Sequence, residues 1–283
     1  MKIRIAGTGL YLPPKVQKSD ELAKIIDKSA EWIKKKSGVK ERRVSEIDVD
    51  KMGAIASKDA IGDKEKPDLI INASGVPKQT IPDTSVFIQK ELGYSGIPSF
   101  SVHSTCLSFI TAINIAGSLI NSNLYSRILI VSTDRGTRGR NFDEPESAAL
   151  LGDAAAAVYV ETSSDSNQGI IDFEMESWPD GSDLTVVRGG GTNLHPQDSN
   201  TKKSDNLFSM NGPEVFKFSL PKVHGLIKKI LKRNHITRSD IDLLIPHQAS
   251  GKGVQAYVKY GRFKKNKVMN IVDTTGNCVA ASI

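Results

Sequence analysis

Short apolar runs alternate with longer amphipathic stretches along the first part of the chain. Runs rich in β-branched residues are typical of buried parallel strands. They predict strands over residues 2–6, 69–73, 99–102, 127–132 and 156–160. The intervening stretches predict helices over residues 20–37, 51–61, 84–92 and 107–121. Strands and helices in alternation indicate an α/β fold built in layers.

A polar stretch, residues 161–168, separates this pattern from a second region. That region contains a loop-rich segment at 179–207 and a long predicted helix at 208–234. Two further strands are predicted at 243–245 and 268–272 from their apolar runs. The later part of the chain therefore also has α/β character.

An internal similarity suggests that the chain consists of two related halves. Residues 66–74 and 240–250 both place an Asp-Leu pair before a short apolar strand, followed by a turn and a loop of small residues. Such similarity within one chain indicates duplicated architecture. We expect an N-terminal half at 1–165 and a C-terminal half at 166–283.

Composition narrows the class of protein. The 283 residues are 39% hydrophobic and 25% charged, and no apolar run is long enough to span a membrane. The net charge of +6 is not accompanied by a nucleic-acid-binding motif, so an acidic small substrate or acidic protein partner fits it better. The chain has two cysteines and needs no disulfide at this size, which favours a reducing cytoplasm.

Cys106 lies between a predicted strand and an apolar helix. At the start of a helix, unpaired N–H groups and the positive end of the dipole favour a thiolate, and we expect a lowered pKa there. A thiolate in such a place is a candidate nucleophile. The alternative is a buried structural cysteine, which is common.

Two polar residues follow the predicted strands of the second half. His247 comes directly after residues 243–245, and Asn277 follows residues 268–272. Ligand-binding and catalytic groups gather at strand ends in α/β proteins, and a cysteine with a distant histidine and asparagine is a known nucleophilic set. The other four histidines lack a comparable setting; His103 is interpreted as structural.

Three motifs in this order resemble β-ketoacyl-acyl-carrier-protein synthase III, a family of thiolase-like condensing enzymes. The segment 102–109 resembles the family's nucleophile motif, 246–250 its Pro-His-Gln-Ala-Asn/Ser motif, and 276–282 its Gly-Asn motif. Secondary similarities lie at 38–43, 151–157 and 210–217. The resemblance implies a thiolase-like fold of two α/β halves in an αβαβα arrangement.

The resemblance also implies a reaction. Cys106 accepts an acyl group from an acyl-coenzyme A, and a malonyl-acyl-carrier-protein then loses carbon dioxide and condenses with it. His247 and Asn277 stabilise the enolate. Coenzyme A enters only as a substrate thioester, and no cofactor or metal is expected. A homodimer is expected, which pairs through the strand before the nucleophile.

Four further residues match substrate-binding positions of the family. Trp32 corresponds to the residue that stacks on adenine. Lys36 and Lys252 stand where basic residues face phosphate or the carrier protein, although both also fit an ordinary solvated surface. Gln248 is the fourth, with support of the His247 loop as its expected role.

The chain ends six residues after Asn277, before the helix and final strands of the family pattern. We therefore expect an incomplete C-terminal half, one oxyanion donor fewer, and a tendency to aggregate or to turn over slowly. Two alternatives stay open at this point. One is an acyltransferase that does not decarboxylate its substrate, and the other is a non-catalytic relic or partner subunit.

Overall fold

A five-stranded mixed sheet forms the core of the protein. The computed structural model describes all 283 residues. The strands of the sheet lie in the order β1-β7-β6-β4-β5. The nine strands of the chain are β1 (Ile3–Tyr11), β2 (Val16–Lys18), β3 (Glu41–Arg43), β4 (Leu69–Asn72), β5 (Ser99–Ser101), β6 (Arg127–Arg135), β7 (Asp153–Thr162), β8 (Thr185–Val186) and β9 (Ser209–Met210).

Helices cover both faces of this sheet. The nine helices are α1 (Ser19–Ile26), α2 (Ala30–Ser37), α3 (Val49–Ile61), α4 (Thr84–Glu91), α5 (Ser108–Asn121), α6 (Pro145–Ala148), α7 (Gly212–Arg233), α8 (Gly251–Lys259) and α9 (Val272–Thr275). Side chains of β4 and β6 point alternately to the two faces. One set packs with α5 and the other with α3 and α4. Two covered faces explain why these strands are apolar without interruption.

Strand direction sets the position of the site. The strand β4 runs parallel to both β5 and β6, whereas β7 is antiparallel to β6 and β1. The carboxyl ends of β4, β5 and β6 therefore meet at one edge of the sheet. Cys106 follows β5 at this edge.

All five strands predicted for the first half are present, and the helices differ from expectation in detail. The predicted helix 20–37 is two helices, because Asp27 adopts a left-handed φ of 49° and ends α1. Ser29 then caps α2 by accepting a hydrogen bond from the Trp32 amide. The predicted helix 208–234 begins later, at Gly212, where Asn211 caps it.

The two strands predicted in the second half were wrong as strands. A single parallel bridge joins Leu244 and Val268, and Val272 already belongs to the helix α9. Leu243 and Ile245 are 47% and 51% exposed, so this short run lacks the covered faces that would support a ladder. The five-stranded sheet ends at Thr162, and the division into 1–165 and 166–283 stays a prediction.

The helix α7 is long, but it is not a candidate for a membrane span. It carries charged side chains along its length, and no helix of the structure combines the length and apolarity needed to cross a bilayer.

Candidate active site

Cys106 lies on a short turn between β5 and α5. The turn is a 3₁₀ helix, Thr105–Leu107, so the cysteine precedes α5 rather than starting it. The buried Ser108 hydroxyl ties the turn together: it accepts from the Ser104 amide and donates to the Thr105 carbonyl. It also lies 3.3 Å from the carbonyl oxygen of Ser74. The nucleophile turn is thereby fixed to the loop that follows β4.

The surroundings of Cys106 raise the pKa of its thiol to about 11. Burial is the main cause, and the nearby Asp134 carboxylate adds to it. The expectation of a lowered pKa was therefore wrong. The amide of Cys106 itself acts in the opposite direction, but a local dipole is weaker than desolvation combined with a like charge. The resting thiol is protonated at neutral pH.

Asp134 is a site residue that sequence reasoning missed. It stands near the end of β6 with no solvent exposure, and its carboxylate accepts hydrogen bonds from the Gly75, Val76 and Ala280 amides. Burial raises the pKa of this carboxyl to about 7. Its position at the end of an apolar strand was the available signal, because functional groups gather there.

His247 lies on the segment before α8. Its Nδ1 atom is buried without a hydrogen-bond partner, and burial lowers the pKa of the imidazole to about 4. The ring is therefore neutral at pH 7. His247 is also one of the residues that line a cavity of about 150 Å³ between α7 and α8, whose wall includes Phe216, Leu220 and Tyr257.

Gln248 supports this segment. Its amide nitrogen donates to the Pro246 and Met269 carbonyls, and its oxygen accepts from the Ile271 amide. The side chain is 1% exposed. Its polar atoms are thus used by the main chain, which agrees with the supporting role expected for this residue.

Asn277 is oriented by its own turn. Its Oδ1 accepts from the Val279 amide at 2.9 Å, which aims Nδ2 the other way, 3.4 Å from the carbonyl oxygen of Ala249. Backbone hydrogen bonds to Leu150 and Gly152 hold the residue in place. Because Ala249 is two residues after His247, the two predicted polar groups lie in adjoining segments.

The nucleophile turn and the Asn277 turn meet at Gly75. A methyl group added to this glycine would overlap Val279 and lie 3.6 Å from the carbonyl carbon of Thr105. Thr105 and Val279 both have left-handed φ values, 49° and 54°, which β-branched residues rarely adopt. Each such conformation costs about 1–3 kcal/mol and persists only where the surrounding structure holds it. The structure therefore brings the segments of Cys106, Asn277 and His247 together from three distant parts of the chain.

The predicted substrate-binding residues lie around α2 and α8. Trp32 is half-buried, and the Lys36 ammonium lies 5.8 Å from its ring centroid while also pairing with Glu146 at 2.9 Å. Lys252 is exposed in the first turn of α8. The helices touch through glycines: a Cβ on Gly38 would lie 2.6 Å from the Cα of Gly251. Trp32 is thus carried on a helix that packs against the start of α8.

Comparison with known proteins identifies this arrangement. Models described as 3-oxoacyl-[acyl-carrier-protein (ACP)] synthase III and its C-terminal part match residues 100–179 and 231–283. The β-ketoacyl-[acyl-carrier-protein] synthase III of Rickettsia bellii is 33% identical over 291 residues, covering 100% of this chain and 88% of the relative.

Solved structures agree with the sequence comparison. The 3-oxoacyl-[acyl-carrier-protein] synthase III of Aquifex aeolicus gives a TM-score of 0.88 at 30% identity, over 100% of this chain and 87% of that one. The Pseudomonas aeruginosa enzyme gives 0.89 at 26% identity, with the same coverage. The expected thiolase-like α/β fold is confirmed, and the chain belongs to the β-ketoacyl-acyl-carrier-protein synthase III family.

Proposed function

We propose that this protein catalyses the decarboxylating Claisen condensation of an acyl-coenzyme A with a malonyl-acyl-carrier-protein. The observation that carries the proposal is the meeting of the Cys106, His247 and Asn277 segments at one edge of the sheet. Family membership supports the same reaction. The product is a β-ketoacyl thioester, so the protein is an acyltransferase.

The first stage forms an acyl-enzyme. The sulfur of Cys106 attacks the thioester carbonyl, a new carbon–sulfur bond forms, and the bond to coenzyme A breaks. The thiol proton ends on the departing coenzyme A sulfur. Because the resting thiol is protonated, its proton has to leave as the new bond forms. The Cys106 amide is the proposed donor to the oxygen of the tetrahedral intermediate.

The second stage needs hydrogen-bond donors for an enolate. Loss of carbon dioxide from the malonyl thioester places negative charge on its carbonyl oxygen. The neutral imidazole of His247 has one N–H. Because Nδ1 has no hydrogen-bond partner, that proton can lie on Nε2, which is the proposed donor. The side-chain amide of Asn277 is the second proposed donor. One preorganised donor of this kind is typically worth about 3 kcal/mol. The enolate carbon then attacks the acyl group on Cys106. The new carbon–carbon bond forms as the carbon–sulfur bond to Cys106 breaks, and the released sulfur takes up a proton from solvent to restore the thiol.

The surface around α2 and α8 supports a site for the two large thioester carriers. Trp32 offers a ring face for stacking, and Lys36 and Lys252 offer positive charge to phosphate or an acidic carrier protein. The thioester itself supplies the reactive group, so the proposed reaction uses no resident cofactor. Unpaired cysteines and the absence of a membrane-spanning helix are compatible with a cytoplasmic location.

A homodimer that pairs through β5 belongs to the same proposal. This strand is the edge of the sheet, with unpaired main-chain groups on its outer side. Three apolar side chains near it are partly exposed: Phe100 at 39%, Leu107 at 46% and Ile110 at 36%. Pairing of two copies about a twofold axis would cover the strand edge and these side chains together.

The test is a product analysis with purified protein. Incubation with acetyl-coenzyme A and malonyl-acyl-carrier-protein is expected to release carbon dioxide and yield a β-ketoacyl-carrier-protein, detected by mass spectrometry. Acyl transfer to an alcohol or amine without carbon dioxide would establish the acyltransferase alternative instead. Failure of every acyl-coenzyme A in a panel to label the protein would contradict both reactions.

A further inference from the structure

The Asp134 carboxylate joins three parts of the active site. One oxygen, Oδ1, accepts from the Gly75 amide at 2.9 Å and the Val76 amide at 3.0 Å. The other oxygen, Oδ2, accepts from the Ala280 amide at 3.1 Å. Asp134 itself belongs to β6. The loop after β4, the end of β6 and the turn after Asn277 are thus held by one buried side chain.

Two strained residues of the site lie next to the groups that Asp134 holds. Val279 immediately precedes Ala280, and its amide orients the Asn277 side chain. Thr105 immediately precedes Cys106 and therefore sets the direction of the Cys106 amide. Both residues pack against Gly75, whose own amide is bonded to Asp134. Loss of the carboxylate would release the contacts that keep these two backbone conformations in place.

We propose that Asp134 is a positioning residue that fixes the Cys106 amide and the Asn277 side chain in the geometry that condensation requires. The inference rests on the proposed function, since it assigns Asp134 a part in that reaction. Asp134 touches neither substrate nor the reacting atoms in this scheme. It acts through the main chain of the residues that do.

The pattern of donors explains why a carboxylate is needed. Three amide N–H groups approach Asp134 from two sides, so both carboxylate oxygens have to accept hydrogen bonds. An asparagine in this place has a single acceptor oxygen, and its NH₂ group would face the N–H of either Ala280 or the Gly75–Val76 loop. Asp134→Asn therefore keeps the shape of the side chain but breaks the connection on one side.

The charge of Asp134 supplies a second readout. The carboxylate raises the pKa of the Cys106 thiol, and it acts in the same direction on the thiol of Cys278. Both thiols thus have a pKa that the charge of Asp134 raises. Removal of the charge is expected to make Cys106 easier to ionise, which a residue with only a remote structural role would not do.

The experiment compares Asp134→Asn with Asp153→Asn in the full chain. Asp153 is a matched control, since it is also fully buried and accepts from the Ser45 amide, the Thr137 amide and the Thr137 hydroxyl through both oxygens. Its charge affects Cys278 but is not among the causes that shift the Cys106 pKa. Three quantities are measured: the pH profile of Cys106 alkylation by iodoacetamide, single-turnover acylation by acetyl-coenzyme A, and the condensation rate.

Asp134→Asn is expected to make Cys106 easier to alkylate and to slow condensation. The alkylation profile should move to lower pH by about half a unit or more, because a like charge is gone. Condensation should fall by about tenfold to a hundredfold, because the reacting groups are misplaced. Asp153→Asn should leave the alkylation profile of Cys106 where it is in the wild type.

An unshifted alkylation profile or wild-type condensation in Asp134→Asn would overturn the proposal. If the asparagine variant does not accumulate as folded protein, Asp134→Glu takes its place. It keeps the charge but moves it by one methylene, so slower condensation with a wild-type alkylation profile is expected, and wild-type condensation would contradict the inference. A wild-type protein that is never acylated would instead refute the proposed function, while the alkylation profile would still test the influence of Asp134 on Cys106.

Discussion

The Cys106 thiol lies in surroundings that suppress its ionisation. With a pKa of about 11, only on the order of one thiol in 10⁴ is ionised at pH 7. Such a thiol reacts slowly with general electrophiles. It becomes an effective nucleophile only when a bound thioester brings an electrophilic carbon next to it and the departing sulfur takes its proton. Low resting reactivity and specific acylation are therefore compatible.

Replacement of the nucleophile gives the most direct test at the residue scale. Cys106→Ala is expected to abolish covalent acylation, since no other thiol of the chain lies on the nucleophile turn. Intact-protein mass spectrometry after incubation with acetyl-coenzyme A measures the added acyl mass. Cys278→Ala is the control and should be labelled like the wild type, because Cys278 is 2% exposed. Labelling that survives in Cys106→Ala would place the acyl group elsewhere.

Residues of the site differ in how far the sequence reveals them. Cys106 follows a strand that is present, so its place at the edge of the sheet could be inferred. His247 and Asn277 were found by their motifs, since the strands predicted before them form only one bridge. The place of Asp134 at the end of an apolar strand marks it as a candidate, but its role could not be assigned, because its partners lie 58, 59 and 146 positions away and nothing local indicates them. The pKa of Cys106 was misjudged for the same reason, since burial and Asp134 are tertiary effects.

At the scale of elements, the main chains of α2 and α8 approach each other directly at one point. Gly38 ends α2 with φ of 79° and packs directly on Gly251 at the start of α8. No side chain separates the two helices at this point. The position of Trp32 relative to the His247 segment therefore depends on two glycines.

Gly38→Ala is expected to destabilise the protein and to weaken coenzyme A binding. The added methyl meets the Gly251 main chain and the left-handed conformation disfavours alanine, so thermal denaturation should show a loss of about 2 kcal/mol or more. The Michaelis constant for acetyl-coenzyme A should rise as α2 moves away. Gly93→Ala is the control. Gly93 also has a left-handed φ, of 73°, but it has open space around it. A decrease of only about 1 kcal/mol in the free energy of unfolding is therefore expected. Equal losses would show that the contact with Gly251 is unimportant.

The open edge of β5 leads to a prediction about assembly. Phe100→Lys puts a charge on this edge strand, which opposes strand pairing, and should convert a dimer into monomers at micromolar concentration. Light scattering measures the mass. Ile25→Lys is the control, because Ile25 is 51% exposed on α1 and lies away from β5. A wild-type protein that is folded and monomeric would contradict the dimer itself.

Elements with two covered faces were the ones that the sequence predicted well. The strands β4 and β6 have long apolar runs because helices pack on both sides of them. The runs at 243–245 and 268–272 look similar in sequence but share only one bridge in the structure. A run of three apolar residues does not say how many neighbours a strand has. Strand partners are a tertiary property, so this error could not be avoided from local pattern.

At the scale of the whole molecule, two buried groups of the site oppose each other as pH changes. Burial lowers the pKa of His247 from 6.5 to about 4, so its contribution to stability is present above pH 6.5 and is lost as pH falls towards 4. Burial raises the pKa of Asp134 from 3.8 to about 7, so its effect has the other sign, and stability declines as pH rises across that interval. Each effect is at most a few kcal/mol, because a tenfold change in proton affinity corresponds to about 1.4 kcal/mol.

Replacing one of the two titratable side chains should reveal the pH dependence that the other gives to stability. His247→Gln is expected to shift the dependence of stability on pH, so that the variant loses more stability than the wild type as pH rises from 4 to 6.5. Asp134→Asn should show the reverse trend, with stability that rises more steeply over the same interval. Denaturant unfolding at several pH values gives the free energies of unfolding. Parallel curves for all three proteins would show that neither group titrates as its burial implies.

The segments joined by Asp134 lie far apart along the chain, which affects the order in which the protein folds during synthesis. The sheet uses residues 3–162, whereas Ala280 reaches Asp134 across 146 positions. Chains emerge from the ribosome N-terminus first, and contacts between distant residues form late because closing a long loop is slow. We expect the sheet and its cysteine to be in place before Asn277 and His247 arrive. During synthesis the nascent chain therefore carries the nucleophile before it has the two groups that stabilise the enolate, so it cannot yet complete a condensation.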